Sequence, residues 1–202
     1  MQVVGTVQVV GKPRRTDPRI TRTDRALAQA IVELAAQRPV SQITVADLAS
    51  QAGVTRATFY NRYGSPLELL IQVLYADLAR VHRLEDARRA EGPRYSAVQM
   101  LRLATGDVAD HVERFKAVYG HALHDPADNG VYEALVRHFT EYALAFMARS
   151  THADLPRANH QVIARFVAHG FAGAIKAWLS DRSLGKTDLV EAAVACAPVW
   201  WS

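Results

Sequence analysis

The chain has one cysteine, Cys196. That excludes an intrachain disulfide and agrees with a reducing, cytoplasmic compartment. Its neighbours Ala193, Val194 and Ala197 favour a buried structural thiol over a redox sensor. Long apolar runs are missing too: none approaches the ~20 residues of a membrane span, so no membrane partner is expected. Residues 1–11 repeat Gln-Val-Val-Gly, but they lack a basic segment and are broken by Gly5, Thr6 and Gln8, a poor secretion signal. No stretch alternates as a half-buried strand would. There is no nucleophile–base pair, phosphate loop or full metal-ligand set, so neither an enzyme nor a cofactor is expected.

What the chain does hold is apolar material and an uneven charge. Half of its 202 residues are hydrophobic, enough for a small reading head and a larger body. Residues 1–64 hold nine Lys and Arg against four Asp and Glu, whereas the remainder holds fifteen against sixteen. The excess positive charge therefore lies at the front. Binding to a phosphate backbone requires such a concentration and should weaken steeply with salt.

Residues 44–63 read as two short helices, of seven to nine residues each, joined at a glycine. Thr44 is a good N-cap, and Val45, Leu48 and Ala49 share one face. Gly53 supplies a left-handed helix end and Thr55 can cap the next helix. This is a helix-turn-helix pattern. In the second helix Phe59 and Tyr63 form the apolar stripe. Arg56, Ala57, Thr58, Tyr60, Asn61 and Arg62 are left facing outward, rich in donors and short of acid, as a DNA-recognition element would be. Arg56 is suited to bidentate guanine contact, with Thr58 and Asn61 as secondary readers. Ala57 allows close approach or meets a thymine methyl, and Arg62 is suited to phosphate. Thr44 and Thr55, at helix N-termini, can act as caps, phosphate ligands or both. Before them lies a basic arm, residues 1–19, in which Arg14, Arg15 and Arg19 suit either a minor groove or a solvated tail.

Around this element the rest of the chain reads as helix. The spacing of Ile20, Leu27, Ile31, Leu34 and Ala35 predicts a first helix ending before Pro39, and residues 39–43 form a loop anchored by Val40 and Ile43. Ser65-Pro66-Leu67-Glu68 is a capping box that opens a long helix to about Ala90, stopped by Gly92-Pro93. Further helices are expected over 95–112 with a second piece at 113–123, then 127–150, 158–181 and 187–200. The fold class is all-α, about nine helices: a three-helix head over 20–65 and a larger helical bundle over 66–202.

Taken together, these motifs resemble the TetR-type transcriptional regulators. The resemblance covers residues 22–70, through Arg25–Leu34, Thr44–Ala49, Ala52-Gly53-Val54-Thr55, Thr58-Phe59-Tyr60 and Tyr63-Gly64-Ser65. His169–Leu179 is similar to the penultimate helix of one branch, whose last two helices form a dimer interface. The resemblance implies a homodimeric repressor of double-stranded operator DNA, released by a small-molecule effector. It also makes Tyr60 a phosphate contact. Two departures stand out. Pro66 replaces the lysine that touches phosphate in the family, and Arg38-Pro39 replaces a loop glycine.

Further site residues follow from that reading. Tyr75, Met100, Phe115, Tyr119, Phe139 and Tyr142 are candidates to line an effector pocket, against the plainer reading of such aromatics as core. Tryptophans Trp178 and Trp200, with Phe166 and the small residues Gly170, Gly173, Ala174 and Ala177, are candidates for dimer packing, against monomer core. His121 and His124, near Asp125 and Asp128, have the spacing of metal ligands, but helix-end capping is the favoured reading, so no metal is expected.

Overall fold

In a computed structural model the described residues are 18–90, 94–123, 129–150 and 152–201. Among them are nine α-helices and no strand. Three build the head: α1 (Pro18–Ala35), α2 (Val45–Ala52) and α3 (Arg56–Tyr60). Six follow: α4 (Pro66–Ala90), α5 (Ala97–Arg114), α6 (Lys116–Ala122), α7 (Asn129–Arg149), α8 (His160–Ser180) and α9 (Lys186–Cys196). The basic arm with Arg14 and Arg15 lies outside the described residues, as do Gly92-Pro93, His124, Asp125 and Asp128.

Local chemistry explains the boundaries. At α2 the Thr44 hydroxyl accepts from the Asp47 amide at 3.1 Å while the Asp47 carboxylate accepts from the Thr44 amide at 3.0 Å, a reciprocal cap. The helix ends at Gly53, whose φ of 64° is left-handed. Thr55 caps α3 through the Thr58 amide at 3.1 Å. That helix is five residues long, shorter than expected, because the backbone turns at Asn61 and the amides of Arg62 and Tyr63 both bond to the Phe59 carbonyl. Ser65 caps α4 as expected, but the Glu68 carboxylate reaches back to the Gly64 amide. The last expected helix stops at Cys196, before Pro198, which cannot continue one; residues 199–201 form a separate 3-10 turn.

The α1 stripe of Leu27, Ala30, Ile31 and Ala35 is buried against Leu48, Phe59, Val40 and Ile43. Leu69, Leu70, Leu74 and Leu78 of α4 join the same core, which continues without a break through α5, α6 and α7 to Ile175 and Trp178 of α8 and Leu189 of α9. In the bundle α7 packs along α8, and α5 lies against α4 and α9. A smaller apolar cluster, Ala143, Met147, Ala164 and Trp200, closes the far end.

One expectation about hydropathy does not hold. Helix α8 is 21 residues long, and a window of it has a mean hydropathy of 1.2, long and apolar enough to cross a membrane. Arg165 and Lys176 interrupt the run in sequence, which hides it from a search for unbroken apolar stretches. Only 28 % of that window is buried, although α7 packs along it.

Candidate nucleic-acid interface and ligand cavity

The second helix of the helix-turn-helix presents a polar face. Thr55, Arg56, Ala57, Tyr60 and Asn61 are exposed, with Tyr60 at 61 %, while Phe59 beneath them is fully buried. The ring of Tyr60 stands edge-on to Phe59, centroids 5.7 Å apart, which fixes its direction outward. Thr44 is exposed at the N-terminus of α2. Thr58 departs from the expected reader role: it is half-buried and its hydroxyl bonds to that of Thr55 at 2.9 Å.

Arg62 is the larger correction. Its guanidinium donates to Asp24 of α1 at 2.7 Å, so the supposed free cation is tied to a carboxylate 38 residues away. The Tyr63 hydroxyl also donates to Asp24, at 3.4 Å. The other described acids of the head are engaged as well. Asp47 accepts from Arg38 at 2.8 Å, and Glu33 accepts from Gln29 and Gln51, both at 2.8 Å. The backbone and hydroxyl of Thr44 hold the Asp47 carboxyl below its ordinary range, and the two glutamine amides do the same for Glu33. Exposed Arg22, Arg25 and Arg56 make no ion pair among the described residues, so the head presents net positive charge beside its polar helix.

Between α4, α5, α7, α8 and α9 the bundle holds a half-open cavity of about 1020 Å³. Val81 of α4, Met100, Leu101, Ala104 and Val108 of α5, and Phe139 of α7 form apolar wall. Ile163, Val167, Phe171 and Ala174 of α8 face them, and Ala192, Ala193 and Pro198 close the C-terminal side with Trp200 and Trp201. Of the six expected pocket residues, Met100, Phe139 and Tyr142 line this space. The other three do not. The Tyr75 hydroxyl donates to the Ala134 carbonyl at 2.6 Å and accepts from Arg137 at 3.0 Å. Phe115 packs on the main core and Tyr119 is buried in it. They belong to the side of the bundle where α4, α5 and α6 meet.

That side carries a buried relay. His111, fully buried, contacts the Asp77 carboxylate at 2.8 Å and the Tyr119 hydroxyl at 2.8 Å. Burial depresses the imidazole pKa and raises that of Tyr119, so the neutral Nδ1–H donates to Asp77 and Nε2 accepts from tyrosine. Burial alone would raise Asp77, but His111, Arg80 and Arg114 together hold it low. His111 is thus a satisfied core group.

The polar end of the cavity was not foreseen. Glu85, 4 % exposed, receives two N–H bonds from Arg89 at 3.0 and 2.7 Å, and the Tyr142 hydroxyl donates to its other oxygen. Arg89 also lies 5.8 Å from the Phe146 ring centroid, a cation–π contact. His82, one turn before Glu85, stacks on Tyr142 with centroids 4.3 Å apart and meets His138 nitrogen to nitrogen at 2.7 Å. Two imidazoles that close cannot both be protonated, and burial lowers His82 and pushes His138 down to about 3. A sequence signal existed. Leu74, Leu78 and Val81 continue at helical spacing to Glu85, a carboxylate on an apolar stripe.

The dimer candidates divide. Trp178 and Trp200 are buried within the protomer, so core packing wins for both. Phe166, Gly170 and Ala174 line the cavity, with Phe166, 82 % exposed, at its rim. Val162, Phe166, Gly170 and Ala177 are exposed along one face of α8, with Gly173 half-buried between them. Cys196 is exposed and lines the cavity, against the expected buried thiol, because α9 ends there and turns its last residue outward.

The molecule thus joins a cationic helix-turn-helix to a helical bundle that holds an apolar cavity. The family model described as "Bacterial regulatory proteins, tetR family" matches residues 27–73. The match covers the head from Leu27 onward and the start of α4, which therefore carry a TetR-type DNA-binding motif. A curated HTH-type transcriptional regulator of Bacillus subtilis (strain 168), YxbF, is 32 % identical over 71 residues, 35 % of this chain. That match takes in only 19 % of the relative's own length. A TetR-family regulator from Syntrophomonas wolfei superposes with a TM-score of 0.62 at 10 % identity, covering 87 % of this chain and 92 % of the other. Thermus thermophilus FadR, a TetR-family repressor solved with lauroyl-CoA, superposes with a TM-score of 0.62 at 19 % identity, covering 85 % and 91 %. Similarity at that identity establishes the shared fold.

Proposed function

We propose that the protein is a ligand-responsive repressor that binds a pseudo-palindromic operator as a homodimer and is released when a small molecule fills the bundle cavity. One observation carries the reading: α4 serves both ends of the molecule. Its first half, Leu69, Leu70 and Leu74, is packed into the core shared with the head, and its second half, Val81, His82, Glu85 and Arg89, lines the cavity. A ligand that shifts the second half biases the orientation of the first. Arg56 and Asn61 read bases, while Thr44, Thr55 and Tyr60 hold phosphate. Ala57 sits close to the groove floor. The two heads of a dimer address half-sites about one helical turn apart, ~34 Å. The exposed face of α8 around Val162, Gly170 and Ala177 is the dimer surface. The lauroyl-CoA named for the Thermus protein supports a small-molecule role, without fixing the ligand here.

Selection of bound sequences from a random duplex library at physiological salt tests the reading. An inverted repeat is expected. Recovery of single half-sites would sink the dimer, and recovery of no preferred sequence would leave a non-specific DNA binder.

A further inference from the structure

The two charges on the cavity wall differ in reach. Among the described lining residues only Glu85 and Arg89 carry formal charge, and their side chains are 5 % and 45 % exposed. Glu85 is covered by its partners. One of its oxygens accepts from Nε and Nη2 of Arg89 at 3.0 and 2.7 Å, and the other accepts from the Tyr142 hydroxyl. Arg89 is used on that side alone. Its Nη1 makes no hydrogen bond among the described residues, and Nη2 keeps a second hydrogen. The free end of the guanidinium, Nη1 with Nη2, has the planar fork that receives a carboxylate through two parallel bonds. Phe146, its ring centroid 5.8 Å from the guanidinium carbon, supports the group from one face.

The remaining wall supplies the apolar partner surface. Val81, Met100, Leu101, Val108, Phe139 and Phe171 line it, and the volume of about 1020 Å³ is at the top of the ~300–1,000 Å³ range of small-molecule sites. An acid on the free end of Arg89 sits next to the guanidinium and on a different side from Glu85. Attraction over the shorter distance exceeds repulsion over the longer one, so Glu85 weakens the pairing without cancelling it. A cation meets the reverse order, with positive charge in reach and negative charge covered. Nδ1 of His82, also a lining residue, is without a partner, but it has almost no exposed surface, so an incoming head group meets Arg89 first.

Resting on the ligand-responsive reading above, we propose that the cavity takes an organic acid with a mainly apolar body, its carboxylate held by the free end of the Arg89 guanidinium. Glu85 positions that guanidinium from its other side and moderates the affinity by its own charge.

Direct titration of the full chain with a matched set of probes tests this. Pyrenebutanoic acid, its methyl ester and pyrenebutylamine share one ring system and carry negative, no and positive charge; pyrene fluorescence follows each. The acid is expected to bind about three- to tenfold tighter than the ester, with the amine weakest. Added salt is expected to narrow the gap between acid and ester. Glu85→Gln removes the opposing charge and is expected to tighten the acid about threefold and loosen the amine. Arg89→Gln alone would strand the buried carboxylate, so it is combined with Glu85→Gln and its folding checked by melting. In that double variant acid and ester are expected to bind alike. An ester or amine bound as tightly as the acid overturns the proposal, as does absence of binding by all three. An acid preference kept by the folded double variant overturns the role of Arg89, and so does an acid not tightened by Glu85→Gln, which decides alone if the double variant fails to fold. An operator selected by a protein without acid preference would defeat this inference and spare the regulator reading; an acid-preferring protein that selects no DNA would do the reverse.

Discussion

At the scale of single residues, the head separates cations that hold the fold from cations left for DNA. Arg38 and Arg62 are spent on Asp47 and Asp24, whereas Arg56 is exposed and unpaired among the described residues. Arg56→Ala is therefore expected to relax sequence preference at one base position, costing about 1–3 kcal/mol on the preferred base. Binding measured across a panel of single-base variants checks this: uniform weakening would reassign Arg56 to phosphate. The Arg62 pairing was invisible locally because its carboxylate sits two helices earlier. Glu85 was overlooked and Cys196 misjudged for a related reason: composition describes a residue's neighbours in sequence, and these two are defined by what lies across the bundle.

His138 makes the second residue-scale case. Its pKa falls from the ordinary ~6.5 to about 3 on folding, so below pH 6.5 the unfolded chain binds a proton the folded one refuses. Stability contributed by neutral His138 is complete above pH 6.5 and is lost as pH falls toward 3, at about 1.4 kcal/mol per pH unit. Half-buried His82 and buried His111 shift in the same direction, and depressed Asp77 acts only near the carboxylate range. His138→Phe should therefore flatten the stability–pH slope between about pH 6 and pH 4 by about that amount. Denaturant melts of both proteins at several pH values measure the slopes; parallel lines would show that His138 titrates normally.

At the scale of elements, most of the fold was legible. Caps, glycine and proline mark the ends of α2, α4 and α9, and apolar spacing of 3.6 marks the inner faces of α1 and α4. Gly53 is the position where residue type matters most to an element. A Cβ there meets nothing within 4 Å, so Gly53→Ala carries only the backbone penalty of φ 64°, about 1 kcal/mol. A thermal melt reads that loss, and a cost of several kcal/mol would point to a contact absent from the fold. Aromatic stripes were the least legible feature. Tyr75, Phe115 and Tyr119 share helical spacing with Phe139 and Tyr142, yet only the latter two reach the cavity. Spacing says which face of a helix is apolar, and it is silent on whether that face meets a wall or a void.

At the scale of the whole molecule, α8 divides its apolar surface between the cavity and the exterior. Val162 is 67 % exposed and Ala177 is exposed on the same face, and neither lines the cavity. Val162→Glu combined with Ala177→Glu is expected to leave the fold intact, read by a thermal melt, and to convert a dimer into monomers. Sedimentation at several concentrations decides this; an unchanged mass would move the dimer surface off α8.

The apolar core that runs unbroken from α1 to α9 has one more consequence. With no seam to part along, the reading head has no melting point of its own. Whatever occupies the far chamber adds its binding free energy to the single cooperative transition that also keeps Phe59 under Tyr60. Heating the protein with and without an occupant would then move one transition, and the grip on DNA would survive to higher temperature in the very state that is least inclined to use it.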